Sequence, residues 1–367
     1  MKLWQIAALL VAGIVVGTLE PGKLSWLFGH VTLYVFLPAL IFEASWQLDL
    51  RLMRAAWKAI AALAFPGVAI TAAIVSAAVH YLAGVPVAVA LLLGAVLSAT
   101  DPVAVVAIFR RLSVPPLLAT IVESESLLND AVAVVLYRGV LLQIAIGLSV
   151  GSGLRIAAAA VVGVLLGIAI GVAIAYLTAF ALRGSVGTAV QTVATFAAAY
   201  LAYFAADRLG LSGIFAVVAL GIALRELERR NLRVESAAGV ERAWDRAAIA
   251  ANVVLFFLLG AALDVTHLRS DLRLIGVTLL AVFVARFVLA YGLLAIARPQ
   301  VDSRWKVVVR LAGVRGALSL ALALATPAFL SGRDVVIDAT FAVVLVTVLV
   351  SSLTLEPRVA NLKLLDP

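Results

Sequence analysis

The sequence contains no cysteine and only three histidines, His30, His80 and His267, widely separated along 367 residues. Disulfides, thiol nucleophiles and Cys/His metal centres are therefore unavailable as a basis for function, and no cofactor is expected. Charge is scarce as well: Asp, Glu, Lys and Arg make up 13% of the chain, where a soluble domain carries about a quarter. Apolar residues account for 65%. Stretches of about 20 apolar residues recur from end to end, each long enough to cross a hydrocarbon layer of roughly 30 Å as a helix. The alternating ten-residue segments of a membrane β-barrel do not occur. The composition predicts an all-α integral membrane protein whose first partner is the lipid bilayer.

The net charge of +8 does not indicate a nucleic-acid partner, because the basic residues fall in short segments between apolar runs and build no continuous patch. Apolar runs bounded by Pro, Gly and charge predict twelve helices, near residues 3 to 18, 25 to 44, 55 to 81, 84 to 111, 115 to 147, 153 to 182, 187 to 207, 211 to 227, 246 to 263, 269 to 297, 304 to 329 and 333 to 355. With that threading, eighteen Lys and Arg residues fall on the side of the N-terminus and six on the other. The imbalance predicts an inner-membrane protein with both termini cytoplasmic. The charged start Met1-Lys2 also fits a signal peptide, but Gly17-Thr18-Leu19-Glu20-Pro21-Gly22 offers no small-x-small cleavage pattern, so a retained helix is expected. The one long charged connection lies around residues 228 to 245, and residues 1 to 367 read as a single transmembrane domain.

Four arginines (Arg138, Arg286, Arg310 and Arg315) and five acids (Glu43, Asp101, Glu123, Glu125 and Asp130) fall inside these helices. A charge at mid-bilayer costs roughly 2.5 to 3.5 kcal/mol, so each needs a partner or a function. Four of the five acids crowd into two consecutive helices. The first reads Ser98-Ala99-Thr100-Asp101-Pro102. Proline suits the first position of a new helix better than a helix interior, which predicts an unwound segment near 98 to 102. Its freed carbonyls could ligate a cation while Asp101 faces the positive end of the second half-helix; a simple proline kink with a capping Asp is the plainer alternative.

The second helix carries Glu123-Ser124-Glu125-Ser126-Leu127-Leu128-Asn129-Asp130. At about 100° per residue, Glu125, Asn129, Ser126 and Asp130 share one polar wedge. Oxygen ligands of this kind suit a hard monovalent cation such as Na⁺. Burial penalises a bare carboxylate, so a group such as Asp130 holds either a proton or a cation, and that competition, exposed alternately to the two sides, gives antiport. In the second half, Gly313-Val314-Arg315-Gly316-Ala317-Leu318-Ser319-Leu320 places an arginine between glycines, predicting a second unwound segment near 313 to 317 and an inverted repeat. Close helix packing with a snorkelling arginine remains the alternative there. Arg286, deep and alone on its helix, is expected to pair with Glu125. Gly163-x-x-x-Gly167-x-x-x-Gly171 reads as a close helix contact.

Thr100-Asp101-Pro102, Glu125-Ser126-Leu127-Leu128-Asn129-Asp130 and Gly313-Val314-Arg315-Gly316-Ala317-Leu318-Ser319-Leu320, in this order, resemble the motifs of NhaP-type sodium/proton exchangers, the electroneutral branch of the cation:proton antiporters. The resemblance spans nearly the whole chain. It implies a homodimeric Na⁺/H⁺ antiporter serving pH homeostasis, with Na⁺ at Asp130, Ser126 and the Thr100 carbonyl and with Glu125 and water completing the site. Asp101 and Asn129 would stand behind these ligands, and Glu125 would bridge to Arg286. Asn129 replaces the second Asp of electrogenic relatives, which implies one H⁺ for one Na⁺. The resemblance also implies core helices within about 55 to 147 and 269 to 355, dimer-contact helices within about 3 to 44 and 187 to 263, and a linker at about 153 to 182. The family's first helix is expected to be missing here, as is a regulatory tail. Potassium/proton exchange is the nearest rival. An intramembrane aspartyl protease using Asp101 and Asp130 is a remote one, since it leaves the Glu-Arg pair without a purpose.

Overall fold

In the computed structural model the described residues are 3–19, 32–101, 103–112, 114–147, 149–183, 187–231, 237–261, 272–296 and 302–362, and no strand occurs among them. The helices are α1 Leu3–Leu19, α2 Leu37–Gln47, α3 Leu50–Ala55, α4 Trp57–Ala64, α5 Pro66–Ala83, α6 Val87–Val96, α7 Val103–Leu112, α8 Pro116–Ile146, α9 Val150–Ala181, α10 Thr188–Arg208, α11 Gly213–Asn231, α12 Ala237–Ala261, α13 Leu272–Val288, α14 Trp305–Leu311, α15 Ala317–Leu324 and α16 Arg333–Asn361. A π-helical turn, Thr32–Phe36, leads into α2, and another, Leu289–Leu293, prolongs α13.

Six described segments are long and apolar enough to cross a membrane: Trp57–Ala83, Pro116–Ile146, Gly151–Ala181, Thr188–Arg208, Leu272–Leu293 and Arg333–Asn361. The chain is thus an all-α, multi-pass membrane protein. Local chemistry sets several helix ends. The span expected at 55 to 81 is interrupted at Phe65, because Pro66 has no N–H to continue the ladder and instead opens α5. That helix closes on Gly84, whose φ of 74° lets its N–H reach the His80 carbonyl while Val85 N–H reaches Val79.

The connection expected at 228 to 245 is mostly helical. α11 runs to Asn231 and α12 begins at Ala237, since Arg225 pairs with Glu228 at 3.0 Å and with Glu241 at 3.6 Å, which satisfies the charges without ending the helices. Residues 232 to 236 of that connection lie outside the described residues, as do Met1, Lys2, the Gly22 turn and the last five positions.

The chain divides into two compact units. One contains α3 to α8 and α13 to α16; in it α5 packs on α6 and α13, and α16 on α6, α7, α14 and α15. The other contains α2, α9, α10, α11 and most of α12, with α11 packed against α9, α10 and α2. There the expected glycine contact is present: a Cβ at Gly171 would collide with the Ala216 carbonyl, so α9 and α11 approach at backbone distance. Trp244 stacks on Phe196 at 3.7 Å between centroids and donates to Thr195 Oγ1 at 3.0 Å.

Candidate functional site

Both expected interruptions are present, and they meet within one unit. α6 ends at Val96 and helix resumes at Val103; α14 ends at Leu311 and α15 starts at Ala317. Pro102 itself lies outside the described residues. The two unwound segments are tied by Asp101 N–H to the Val314 carbonyl at 2.8 Å. An interrupted helix leaves bare carbonyls on one side of its break and bare N–H groups on the other, with partial charges of opposite sign. Arg315, 1% exposed, answers the first: its Nε donates to the Leu97 carbonyl and its Nη1 to the Gly313 carbonyl, each at 2.8 Å. Asp101 answers the second. The sequence places it ahead of the second half of its own helix, and the fold also sets its carboxylate against Gly316, which precedes α15 and offers no side-chain cap. Any Cβ at Gly316 would fall on that carboxylate. Each broken helix therefore supplies the charge that the other requires.

α8 presents its polar wedge to the first break. Ser126 Oγ donates to the Thr100 carbonyl at 2.7 Å and lies 3.0 Å from Thr100 Oγ1. Asn129 accepts from Thr100 N–H at 3.2 Å and donates through Nδ2 to Thr100 Oγ1 at 2.6 Å and to Glu125 Oε1 at 3.1 Å. Glu125 and Arg286, buried at 1% and 3% exposure, form the expected pair with both nitrogens engaged, Nη1 to Oε1 at 2.7 Å and Nη2 to Oε2 at 3.1 Å. Arg286 Nε donates to the Val309 carbonyl at 2.8 Å. Of the other arginines expected within helices, Arg310 is half-buried and Arg138 is exposed.

Asp130 differs from its neighbours. Its side chain is half-buried, and Oδ1 is shielded from solvent yet has no hydrogen-bond partner among the described residues. Asp101 and Glu125 add negative potential there, and the Thr100 backbone amide opposes it. The constellation holds three carboxylates (Asp101, Glu125 and Asp130) and two guanidiniums (Arg286 and Arg315), and Asp130 is the carboxylate with a shielded oxygen that lacks a donor among the described residues. No cluster of three His, Cys, Asp or Glu side chains fit for a resident metal occurs among the described residues.

Several participants escaped the sequence reading. Thr347 Oγ1 accepts the Arg315 N–H at 3.1 Å, and the carbonyls of Leu97, Val309 and Gly313 hold the two arginines. Gly313 has a packing role as well, since a Cβ there would lie 2.6 Å from Arg286 Cδ. Backbone acceptors leave no side-chain signature, so only the glycines flanking Arg315 hinted at them.

Comparison with known proteins bears on the chain as a whole. The chain is 35% identical over 341 residues to the Na(+)/H(+) antiporter ApNhaP of Aphanothece halophytica, covering 92% of this chain and 65% of that protein. It thus spans somewhat less than two thirds of that relative's length. It is 29% identical over 370 residues to the Na(+)/H(+) antiporter NhaH of Halobacillus dabanensis, covering 97% and 91% of the two chains. The fold matches that of the sodium proton antiporter MjNhaP1 from Methanocaldococcus jannaschii with a TM-score of 0.76 at 20% identity, over 95% of this chain and 92% of that one. Residues 1–361 match the family described as sodium/hydrogen exchanger, transmembrane, and the chain belongs to that family.

Proposed function

We propose that the protein is a secondary active transporter, not an enzyme, that exchanges Na⁺ for H⁺ across the membrane at Asp130. The observation that carries this reading is the shielded Asp130 Oδ1 without a donor among the described residues, in a constellation of three carboxylates and two guanidiniums. A Na⁺ ion bound there takes oxygen ligands from Asp130, Ser126 and Thr100, with the Glu125–Arg286 pair fixed alongside. A proton on Asp130 satisfies the same charge and excludes the cation, so the two cannot cross together in one direction. Asn129, neutral and already committed to Thr100 and Glu125, carries no second proton, which supports a one-for-one, electroneutral exchange. The relatives named as Na(+)/H(+) antiporters support the same choice of ions. The site is exposed to the two sides in turn by movement of the helices that bear it, and the protein works as a homodimer in the cell membrane with cytoplasmic termini.

Proteoliposomes with a preformed proton gradient test this reading. Na⁺ added outside should collapse the gradient, Li⁺ should substitute for it, K⁺ should do so weakly, and Asp130→Asn should abolish the response to all three. K⁺ acting as well as Na⁺ would make the protein a potassium/proton exchanger, and full activity in the Asp130 variant would remove Asp130 from the mechanism.

A further inference from the structure

A cavity of about 430 Å³ opens between α13, α14 and α16, inside a single unit, with Arg286 in its lining. Phe283, Phe287 and Val350 form its apolar wall, and they are 44%, 52% and 36% exposed, so the cavity is continuous with the surface that faces lipid. Its polar groups are nearly all committed. Arg286 is used by Glu125 and Val309. Ser351 Oγ donates to the Leu311 carbonyl and Thr354 Oγ1 to the Val350 carbonyl. Two groups are not: Arg310 and Arg358 both line the cavity, and neither has a hydrogen bond or ion pair to any described residue. Two arginines that share one cavity repel each other and retain their donors, and exposed apolar side chains line the same cavity.

A cavity with this lining is no path for Na⁺, which its positive potential would turn away. We propose that it binds an anionic phospholipid, with the headgroup phosphate held between Arg310 and Arg358 and the acyl chains laid along Phe283, Phe287 and Val350. Arginine's planar fork matches phosphate oxygens, and the charge and the apolar wall together call for one amphiphilic anion, where a free phosphate would leave the wall unused. The bound lipid would also brace α14 against α16, next to the Arg286 that holds Glu125.

Native mass spectrometry of the purified full chain, titrated with phosphatidylglycerol, phosphatidylcholine or inorganic phosphate, tests the proposal. Phosphatidylglycerol should be retained in preference to phosphatidylcholine, and inorganic phosphate should not compete at matched concentration. The double variant R310Q/R358Q should weaken phosphatidylglycerol retention by on the order of thirtyfold, about fivefold per arginine. R310K/R358K, which keeps the charges and loses the forks, should retain more than R310Q/R358Q and less than the unaltered chain, and R155Q, which removes an exposed charge elsewhere, should leave retention unchanged. V350W, which fills the cavity without touching the charges, should also release the lipid. Equal retention of the two lipids, an equal loss in R155Q, displacement by inorganic phosphate, or undiminished binding in V350W would each overturn it.

Discussion

At the scale of single residues, Asn129 joins the unwound chain to the buried ion pair. Its amide makes three hydrogen bonds, two to Thr100 and one to Glu125. Asn129→Ala should therefore destabilise the protein by about 2 to 4 kcal/mol, at roughly 1 kcal/mol per bond with a further cost for the stranded Thr100 N–H, read as a lower unfolding midpoint in detergent. Arg286→Gln should cost more, about 3 to 5 kcal/mol, because it leaves Glu125 charged and unpaired in an apolar interior. Glu125→Gln combined with Arg286→Gln should be less damaging than Arg286→Gln alone; a double variant at least as unstable as the single one would argue against the pair as the reason for the loss. The pair was legible in the sequence, because Arg286, deep and alone on its helix, is too costly to bury without a carboxylate. The Asn129 bridge was not, since helical periodicity shows which side chains share a face and says nothing of the chain they face.

At the scale of elements, the two interrupted helices act as one structural device. The breaks themselves could be read from Thr100-Asp101-Pro102 and from the glycines around Arg315, because proline and glycine act on their own backbone. The cross-compensation could not. That Arg315 serves the carbonyl of Leu97 and Asp101 lies against Gly316 follows from how the segments cross. Arg315→Gln should abolish transport and lower stability, since the Leu97 and Gly313 carbonyls lose a charged donor at about 1 to 3 kcal/mol for each buried group left unsatisfied. Arg315→Lys, with a single point charge in place of the fork, should restore stability in part and transport less. Gly316→Ala should be as harmful as removing Asp101, because the added methyl occupies the position of its carboxylate; wild-type transport in Gly316→Ala would show that the Asp101 contact is dispensable. The helical ends that reach Asn231 and start again at Ala237 do not show in the sequence, for a related reason. Charge density marks a loop in the sequence, but Arg225, Glu228 and Glu241 satisfy one another across two helix ends.

At the scale of the whole molecule, the proposed exchange reduces to charge conservation at one carboxylate. With one proton replaced by one Na⁺, no net charge crosses, so the rate of exchange in proteoliposomes should not change when a potassium diffusion potential of either sign is imposed with valinomycin. A rate that follows the imposed potential would require a second titrating group and would contradict the part given to Asn129. The central claim is competition at Asp130, and it is tested most directly by Na⁺ binding to the purified protein across pH, with released protons counted by calorimetry in buffers of different ionisation enthalpy. The account predicts that affinity for Na⁺ falls about tenfold per unit of pH on the acid side, that close to one proton leaves for each Na⁺ bound there, and that Asp130→Asn loses both effects. Na⁺ affinity independent of pH, or binding retained with proton release in Asp130→Asn, would contradict it.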